Sequence, residues 1–216
     1  GYGINLVPLA TFAMETYKDD DCKEFLPKLS GGAAAMDEKT QRLTSQMHKA
    51  IAVIQFKLES QLFKKHPEWK MKDRCLFDHI DYRKGKVEID GKEYDMTSCH
   101  FPTIDPDNPD KLSEEEEILI QKLHHSFMVC EKLHKHINVM LQHGCMYAIF
   151  NNNLLFHASC PLNEDGSLKE VEIYPGKKFS GRALMHHTGM QIRTAFQSDS
   201  DPNEKEYAID YFIYLW

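Results

Sequence analysis

The chain has 216 residues, of which 42% are hydrophobic and 27% charged, and its formal net charge is −7. That length can bury one substantial core or two small ones, and the composition is ordinary for a soluble globular protein. The acidic balance argues against a nucleic-acid binder or a binder of anionic membranes, and no apolar run approaches the length of a membrane span. We therefore expect neither nucleic acid nor a membrane among its partners.

The first predicted elements are two helices. Apolar and small residues at helical spacing over 6–17 indicate a short helix, and residues 30–35 form a Gly/Ala-rich connection. A long amphipathic helix is predicted from Asp37 to about Lys65, where His66 and Pro67 end it. We expect its apolar stripe to pack in the core rather than to bind a cofactor; the stripe consists of Leu43, Met47, Ala50, Ile51, Ile54, Leu58 and Leu62.

A hairpin and a second long helix follow. Residues 86–96 alternate around Asp90-Gly91, a pair that suits a two-residue turn with positive φ angles. Three prolines in 101–110 predict a loop. Ser113 and Glu116 form a capping box, and we expect one helix from there to about His143. The acidic run at its start complements the helix dipole, and a cation or partner site there is the weaker alternative.

The stretch from Asn151 to Leu162 contains the most suggestive residue. Three asparagines predict a tight turn between two paired strands, 146–150 and 154–156. His157 follows directly, and we interpret it as the end of a core strand that faces a cleft. The alternative is a buried histidine bonded to a backbone carbonyl.

The last part of the chain is predicted to contain another hairpin, 168–173 with 177–179, and two helices, 180–197 and one starting at Asp201-Pro202. Four cationic or titratable residues of the first of these helices could face an anion, although such residues are more often solvated: Arg182, His186, His187 and Arg193. Nucleotide-binding glycine motifs and a G-x-S-x-G elbow are absent from the sequence. Residue patterns alone therefore indicate an α+β protein with one suggestive histidine.

Five segments resemble the bacterial class III fructose-1,6-bisphosphatases, which belong to the calcineurin-like metallophosphatases. They read YGINLVPLATFAMETY over 2–17, MHKAIAVIQFKLE over 47–59, FPTIDP over 101–106, NLLFHASCPLNEDG over 153–166, and DYFIYLW over 210–216. The resemblance implies a phosphoric monoester hydrolase that removes the 1-phosphate of fructose 1,6-bisphosphate, a gluconeogenic step. A homo-oligomer is a candidate assembly that residue patterns do not reveal. The resemblance also implies that 1–145 is a mainly helical, family-specific region with one hairpin. Residues 146–216 would be the strand-rich start of the second half of an αββα catalytic sandwich.

The same resemblance implies two divalent metal ions, with Mn²⁺ expected. The superfamily holds them with the motifs G-D-x-x-D-R-G and G-N-H-[DE], a strand-end histidine followed by glycine, and a last G-H histidine. Of these, the chain contains the strand-end histidine, His157, with Ala158 where glycine is common. His157 is thus implied to be a metal ligand whose companions lie outside this sequence.

Both ends of the chain point to the same expectation. The sequence starts at Gly1 without a methionine and ends in an apolar run at Trp216, whereas natural termini are usually polar. We therefore expect a middle fragment of the enzyme, inactive by itself. The scattered cysteines, without a C-x-x-C pair, favour a cytoplasmic protein. The alternative function is a non-catalytic interaction module or a sugar-phosphate-binding regulatory module.

Overall fold

The computed structural model describes residues 1–28, 36–96, 98, 100–157, 159–174, 176–197 and 199–215. They form two compact units, Gly1–Leu133 and His134–Trp216. The Gly/Ala-rich connection predicted at 30–35 lies outside the described residues. The functional division predicted at residue 145 concerns the catalytic sandwich and stays a prediction.

The helices and strands confirm the predicted α+β class. In chain order they are α1 Val7–Thr16, α2 Glu38–Lys65, β1 Ile80–Asp81, β2 Lys86–Ile89, β3 Lys92–Asp95, α3 Glu114–Met128, α4 Glu131–His143, β4 Tyr147–Phe150, β5 Asn153–Phe156, β6 Val171–Tyr174, β7 Lys177–Phe179, α5 Gly181–Phe196 and α6 Pro202–Leu215. The strands pair antiparallel in three small sheets, β1-β2-β3, β4-β5 and β6-β7. None of the helices in the described ranges is both long and apolar enough to cross a membrane.

The core of the first unit lies among α1, α2 and α3. Its buried members are Leu9, Phe12, Ala13, Tyr17, Cys22, Ala50, Ile54, Leu119 and Leu123. The predicted start of α2 near Asp37 is confirmed, and the side chain of Asp37 caps this helix. Ser113 and Glu116 form the predicted capping box of α3. The β2-β3 turn has positive φ at Asp90 and Gly91, as predicted. Polar caps thus mark where α2 and α3 begin, and turn residues connect β2 to β3.

The buried face of α2 differs from the predicted stripe. Leu58 is 37% exposed, whereas Lys49 and Lys57 are buried. Helix periodicity counts apolar residues and therefore assigns lysine to the solvent side. Here both ammonium groups find carboxylate partners inside the unit, and paired charges are the ones that can be buried.

The prediction of one helix from Ser113 to His143 is wrong. The helix ends at Met128, and α4 begins at Glu131 after Val129 and Cys130. No proline or glycine marks the break. The Sγ atom of Cys130 lies 3.2 Å from the carbonyl oxygen of Tyr2, and the Lys132 ammonium lies over the Tyr2 ring. Tertiary contacts with the N-terminal segment accompany the interruption.

The second unit contains the two remaining hairpins and the pair of helices α5 and α6, which pack together. Its buried residues include Ile173, Thr188, Ala208 and Tyr211. The hydroxyl groups of Thr188 and Tyr211 are 3.0 Å apart, and the Tyr207 hydroxyl donates to the carbonyl oxygen of Ile173. These hydrogen bonds hold α5 to α6 and α6 to β6.

The β4-β5 hairpin confirms the predicted pairing and corrects the predicted environment. Its turn has two residues, Asn151 and Asn152, with φ angles of 48° and 60°, and Asn153 already pairs with Phe150. Sequence analysis took these strands as core strands. In this chain they are not, because Ile149 and Phe150 are each 67% exposed.

Candidate functional site

His157 stands at the open end of the β4-β5 hairpin. The last strand pair joins Tyr147 and Phe156, so His157 is the first residue beyond the ladder. Its side chain is exposed. The alternative of a buried structural histidine is therefore excluded within this chain, and the imidazole is accessible to a ligand.

An open groove of about 730 Å³ runs beside this hairpin, and His157 contributes to its wall. The helices α5 and α6 supply Ile192, Phe212 and Leu215 to the same groove. Its described lining is apolar except for Cys145, Tyr147 and His157, and contains no carboxylate. The groove thus offers one imidazole among largely apolar walls.

The described residues do not form a complete metal centre. Throughout the described ranges, no group of three or more His, Cys, Asp or Glu side chains is arranged to hold a metal ion. Catalytic metal sites in proteins require about three protein ligands for each ion. The described residues therefore do not fit a complete binuclear site, although His157 fits the role of one ligand.

The cationic residues of α5 do not form one anion site. Arg182, His186 and His187 line a groove of about 640 Å³ on one side of the helix, and Arg193 lines a different cavity. The Arg182 Nε donates to the Tyr147 hydroxyl at 2.8 Å. Arg193 donates to the backbone carbonyls of Gly189 and Gly144, so its guanidinium fixes the loop after α4.

His187 is enclosed by aromatic rings. Its imidazole stacks on Phe179 with ring centroids 4.6 Å apart, and the rings of Tyr174 and Tyr211 approach edge-on at 5.6 Å. Burial lowers the pKa of His187, and the positive charges of His186 and Lys177 lower it further. The neutral ring therefore serves as a packing residue of the second unit.

Sequence analysis missed a buried charge network in the first unit. The Lys49 ammonium, 1% exposed, lies 2.7 Å from the Asp20 carboxylate and within 6 Å of three ring centroids, those of Tyr17, Phe25 and Phe101. Burial would raise the pKa of Asp20. Hydrogen bonds from Lys49, the Cys22 backbone and His100 outweigh burial and hold this pKa well below its ordinary value. Carboxylate and aromatic faces together stabilise the buried cation.

A second buried pair joins α2 to α3. The Lys57 ammonium lies 2.7 Å from the Glu116 carboxylate, and both side chains are almost completely buried. Lys57 also donates to the Thr103 carbonyl oxygen at 2.6 Å, and the same Glu116 carboxylate accepts from the Ser113 backbone N–H. Lys49 and Lys57 lie two helical turns apart on the same face of α2, with Val53 between them. This spacing was the sequence signal that could have predicted two buried lysines.

These observations describe an α+β protein with one exposed histidine, His157, at the end of the β4-β5 hairpin. The buried ion pairs of the first unit stabilise its fold. The chain belongs to the Firmicute fructose-1,6-bisphosphatase family, because the sequence pattern of that family matches residues 1–216. No solved structure matches the chain significantly.

Individual relatives carry the same name. The chain is 53% identical over its full length to a protein of Parabacteroides distasonis called fructose-1,6-bisphosphatase class 3. Proteins of that name from Bacteroides thetaiotaomicron and Clostridium novyi are 49% and 47% identical, again over the full chain. In each comparison the chain spans 32% of the relative's length. It thus corresponds to about a third of these proteins.

Proposed function

We propose that this chain is part of a metal-dependent fructose-1,6-bisphosphate 1-phosphatase, which converts fructose 1,6-bisphosphate and water to fructose 6-phosphate and phosphate in gluconeogenesis. The supporting observation is the family match across all 216 residues, together with relatives named for this activity. Because the chain spans a third of those relatives, the activity is a property of the longer polypeptide.

His157 is the residue of this chain to which we assign a role at the reacting centre. An exposed neutral imidazole can donate a lone pair to a metal ion, and its second nitrogen then needs a hydrogen-bond acceptor. The other ligands are supplied by polypeptide outside these residues. A pair of Mn²⁺ ions, when bound, would generate the attacking hydroxide and hold phosphate oxygens.

Three further assignments belong to the same proposal. The residues from 146 onward would contribute to a layered metallophosphatase sandwich, which is supported by the adjacent β4-β5 hairpin and the helices α5 and α6. A cytoplasmic location is supported by free thiols at Cys22, Cys75, Cys130, Cys145 and Cys160. A homo-oligomer stays a prediction.

The test uses the full-length protein with Mn²⁺ and two readouts, phosphate release and bound manganese by mass spectrometry. His157→Ala should lower both by more than the roughly 10–100-fold that loss of an outer-shell partner of a metal costs. The matched control is His143→Ala, because His143 is an exposed histidine of the same unit. It should leave both values unchanged. Full manganese content and activity in the His157 variant would refute the assigned ligand.

The alternatives predict other results. A non-catalytic interaction module would give no metal-dependent phosphate release even with the flanking sequence restored. A sugar-phosphate-binding regulatory module would show a rise in the melting temperature of the 216-residue chain with fructose 1,6-bisphosphate, but no turnover. A thermal-shift series with and without Mn²⁺ separates these cases.

A further inference from the structure

Arg182 is held by one hydrogen bond and keeps its positive charge unneutralised. Its Nε atom donates to the Tyr147 hydroxyl at 2.8 Å, and the residue is exposed. A hydroxyl is neutral, and among the described residues no carboxylate pairs with this guanidinium. The two terminal nitrogens therefore keep their N–H groups for another acceptor. A guanidinium fork whose Nε is fixed in this way can bind a phosphate group through two parallel hydrogen bonds.

The position of Arg182 is unfavourable for the helix that carries it. Arg182 lies in the first turn of α5, which contains no acidic residue, whereas the first turn of α3 contains four glutamates. The helix dipole favours negative charge at this end and disfavours a cation there. The guanidinium thus does not serve the stability of α5, and an anion bound to it would offset the unfavourable charge.

The groove beside Arg182 has a cationic wall. His186 follows Arg182 by four residues, so both lie on one face of α5, and both line this groove. Lys177 lies near it as well, because its charge is among those that lower the pKa of His187. The described lining contains no carboxylate, although the whole chain has a net charge of −7. The groove therefore favours an anionic ligand.

Tyr147 connects Arg182 to the strand end that carries His157. Tyr147 pairs with Phe156, the residue before His157, and Tyr147 and His157 line one groove. The guanidinium is therefore one tyrosine side chain away from this strand end. Fructose 1,6-bisphosphate has its two phosphates at opposite ends of the sugar, so they need separate partners. With His157 assigned to the metal centre that holds the reacting phosphate, Arg182 is available for the other one.

We propose that Arg182 binds the 6-phosphate of fructose 1,6-bisphosphate, the phosphate that is not hydrolysed, and that Tyr147 positions its guanidinium. The inference rests on the proposed function, because it takes the substrate and the place of the reacting centre from it. Arg182 is then a specificity residue, through which the enzyme prefers the bisphosphate to a sugar that carries the 1-phosphate alone.

Two substrates of the full-length protein with Mn²⁺ test this assignment. Arg182→Gln should lower kcat/KM for fructose 1,6-bisphosphate by roughly 10- to 100-fold, because charge-assisted hydrogen bonds to the 6-phosphate are lost. Fructose 1-phosphate has no 6-phosphate, so the ratio of the two kcat/KM values should fall by about the same factor. Arg182→Lys keeps the charge but not the fork and should give an intermediate loss. The control Arg83→Gln, at an exposed arginine of the first unit, should leave the ratio unchanged.

Tyr147→Phe tests the positioning. It removes the acceptor of the Arg182 Nε, so the ratio should fall in the same direction by a smaller factor. Added to Arg182→Gln, it should change the ratio no further, because the two residues act on the same phosphate. If the hydrogen bond between them were merely structural, both substrates would be affected equally and the ratio would stay constant.

Equilibrium binding separates this inference from the proposed function. Calorimetry with fructose 6-phosphate, which carries the phosphate in question alone, should show binding to the full-length protein and a Kd raised at least roughly 10-fold by Arg182→Gln. Absence of binding, an unchanged Kd or an unchanged substrate ratio would overturn the assignment. Should the full-length protein bind fructose 6-phosphate through Arg182 without phosphatase activity, the proposed function would be refuted and the phosphate site supported.

Discussion

Replacing Lys57 with methionine should destabilise the first unit more than any change to an exposed lysine. The substitution keeps the length and much of the volume of the side chain but removes its charge. Glu116 is 1% exposed, so its carboxylate would be left in the interior without its cation. The Thr103 carbonyl oxygen would also lose its hydrogen bond from Lys57.

The expected cost follows from the burial of the pair. Removal of one partner of a buried ion pair typically costs about 3–5 kcal/mol, because the remaining charge stays desolvated. This is a large fraction of the roughly 5–15 kcal/mol by which folded proteins are stabilised. Glu116→Gln should cost a similar amount of stability, because it leaves the buried Lys57 ammonium without its carboxylate. Glutamine can still preserve the capping box with Ser113.

The double variant Lys57→Met with Glu116→Gln distinguishes this explanation from simple loss of packing. Once both charges are gone, no desolvated ion remains, so the double variant should lose less free energy of unfolding than either single variant. Urea denaturation followed by the fluorescence of Trp69, a buried residue of the same unit, provides the measurement. Trp216→Phe would remove the other tryptophan signal. Lys39→Met, an exposed lysine of α2, is the control.

Additivity would refute the reasoning. If the losses of the two single variants sum to that of the double variant, the charges do not stabilise each other. The same conclusion would follow if Lys57→Met cost no more than Lys39→Met.

Two further predictions concern pH. Burial and nearby positive charge lower the pKa of His187, so the unfolded chain binds this proton more readily than the folded chain. The stability that His187 contributes should therefore be complete above about pH 6.5 and decline as the pH falls below that value. His187→Phe should reduce the difference between the urea denaturation midpoints measured at about pH 7.5 and at about pH 5.5. The lowered pKa of Asp20 gives stability above about pH 4 that is lost at lower pH. Asp20→Asn should cost about 1–3 kcal/mol of stability at neutral pH and reduce this acid dependence. The control Asp19→Asn changes an exposed neighbouring carboxylate and should alter neither the stability nor its acid dependence. Urea denaturation midpoints from about pH 2 to about pH 7 provide the measurement.

Elements with a local signal were predictable from the sequence. The capping box of α3 and the Asp90-Gly91 turn depend on residues within a few positions of each other, and both were found where expected. The break at Val129 and Cys130 has no such signal. It coincides with contacts to Tyr2, which is more than a hundred residues away in sequence.

The site was predictable to a smaller extent. His157 was selected because it directly follows an apolar strand, and its exposure agrees with an accessible side chain. Its role as a metal ligand stays a prediction. The buried pairs of Lys49 and Lys57 were not recognised, because each depends on a carboxylate supplied by a distant segment. The exposure of β4 and β5 could not be anticipated either, since an apolar strand is ordinarily read as buried.

The carboxylate of Glu116 caps its own helix and at the same time neutralises Lys57 on another. Evolution therefore cannot alter either position freely. A relative that lost the lysine would retain a buried carboxylate without a cation. One that lost the glutamate would lose the cap of α3 as well as the counter-ion of Lys57. Substitutions at positions 57 and 116 are therefore expected to occur together, although the two positions are far apart in the sequence.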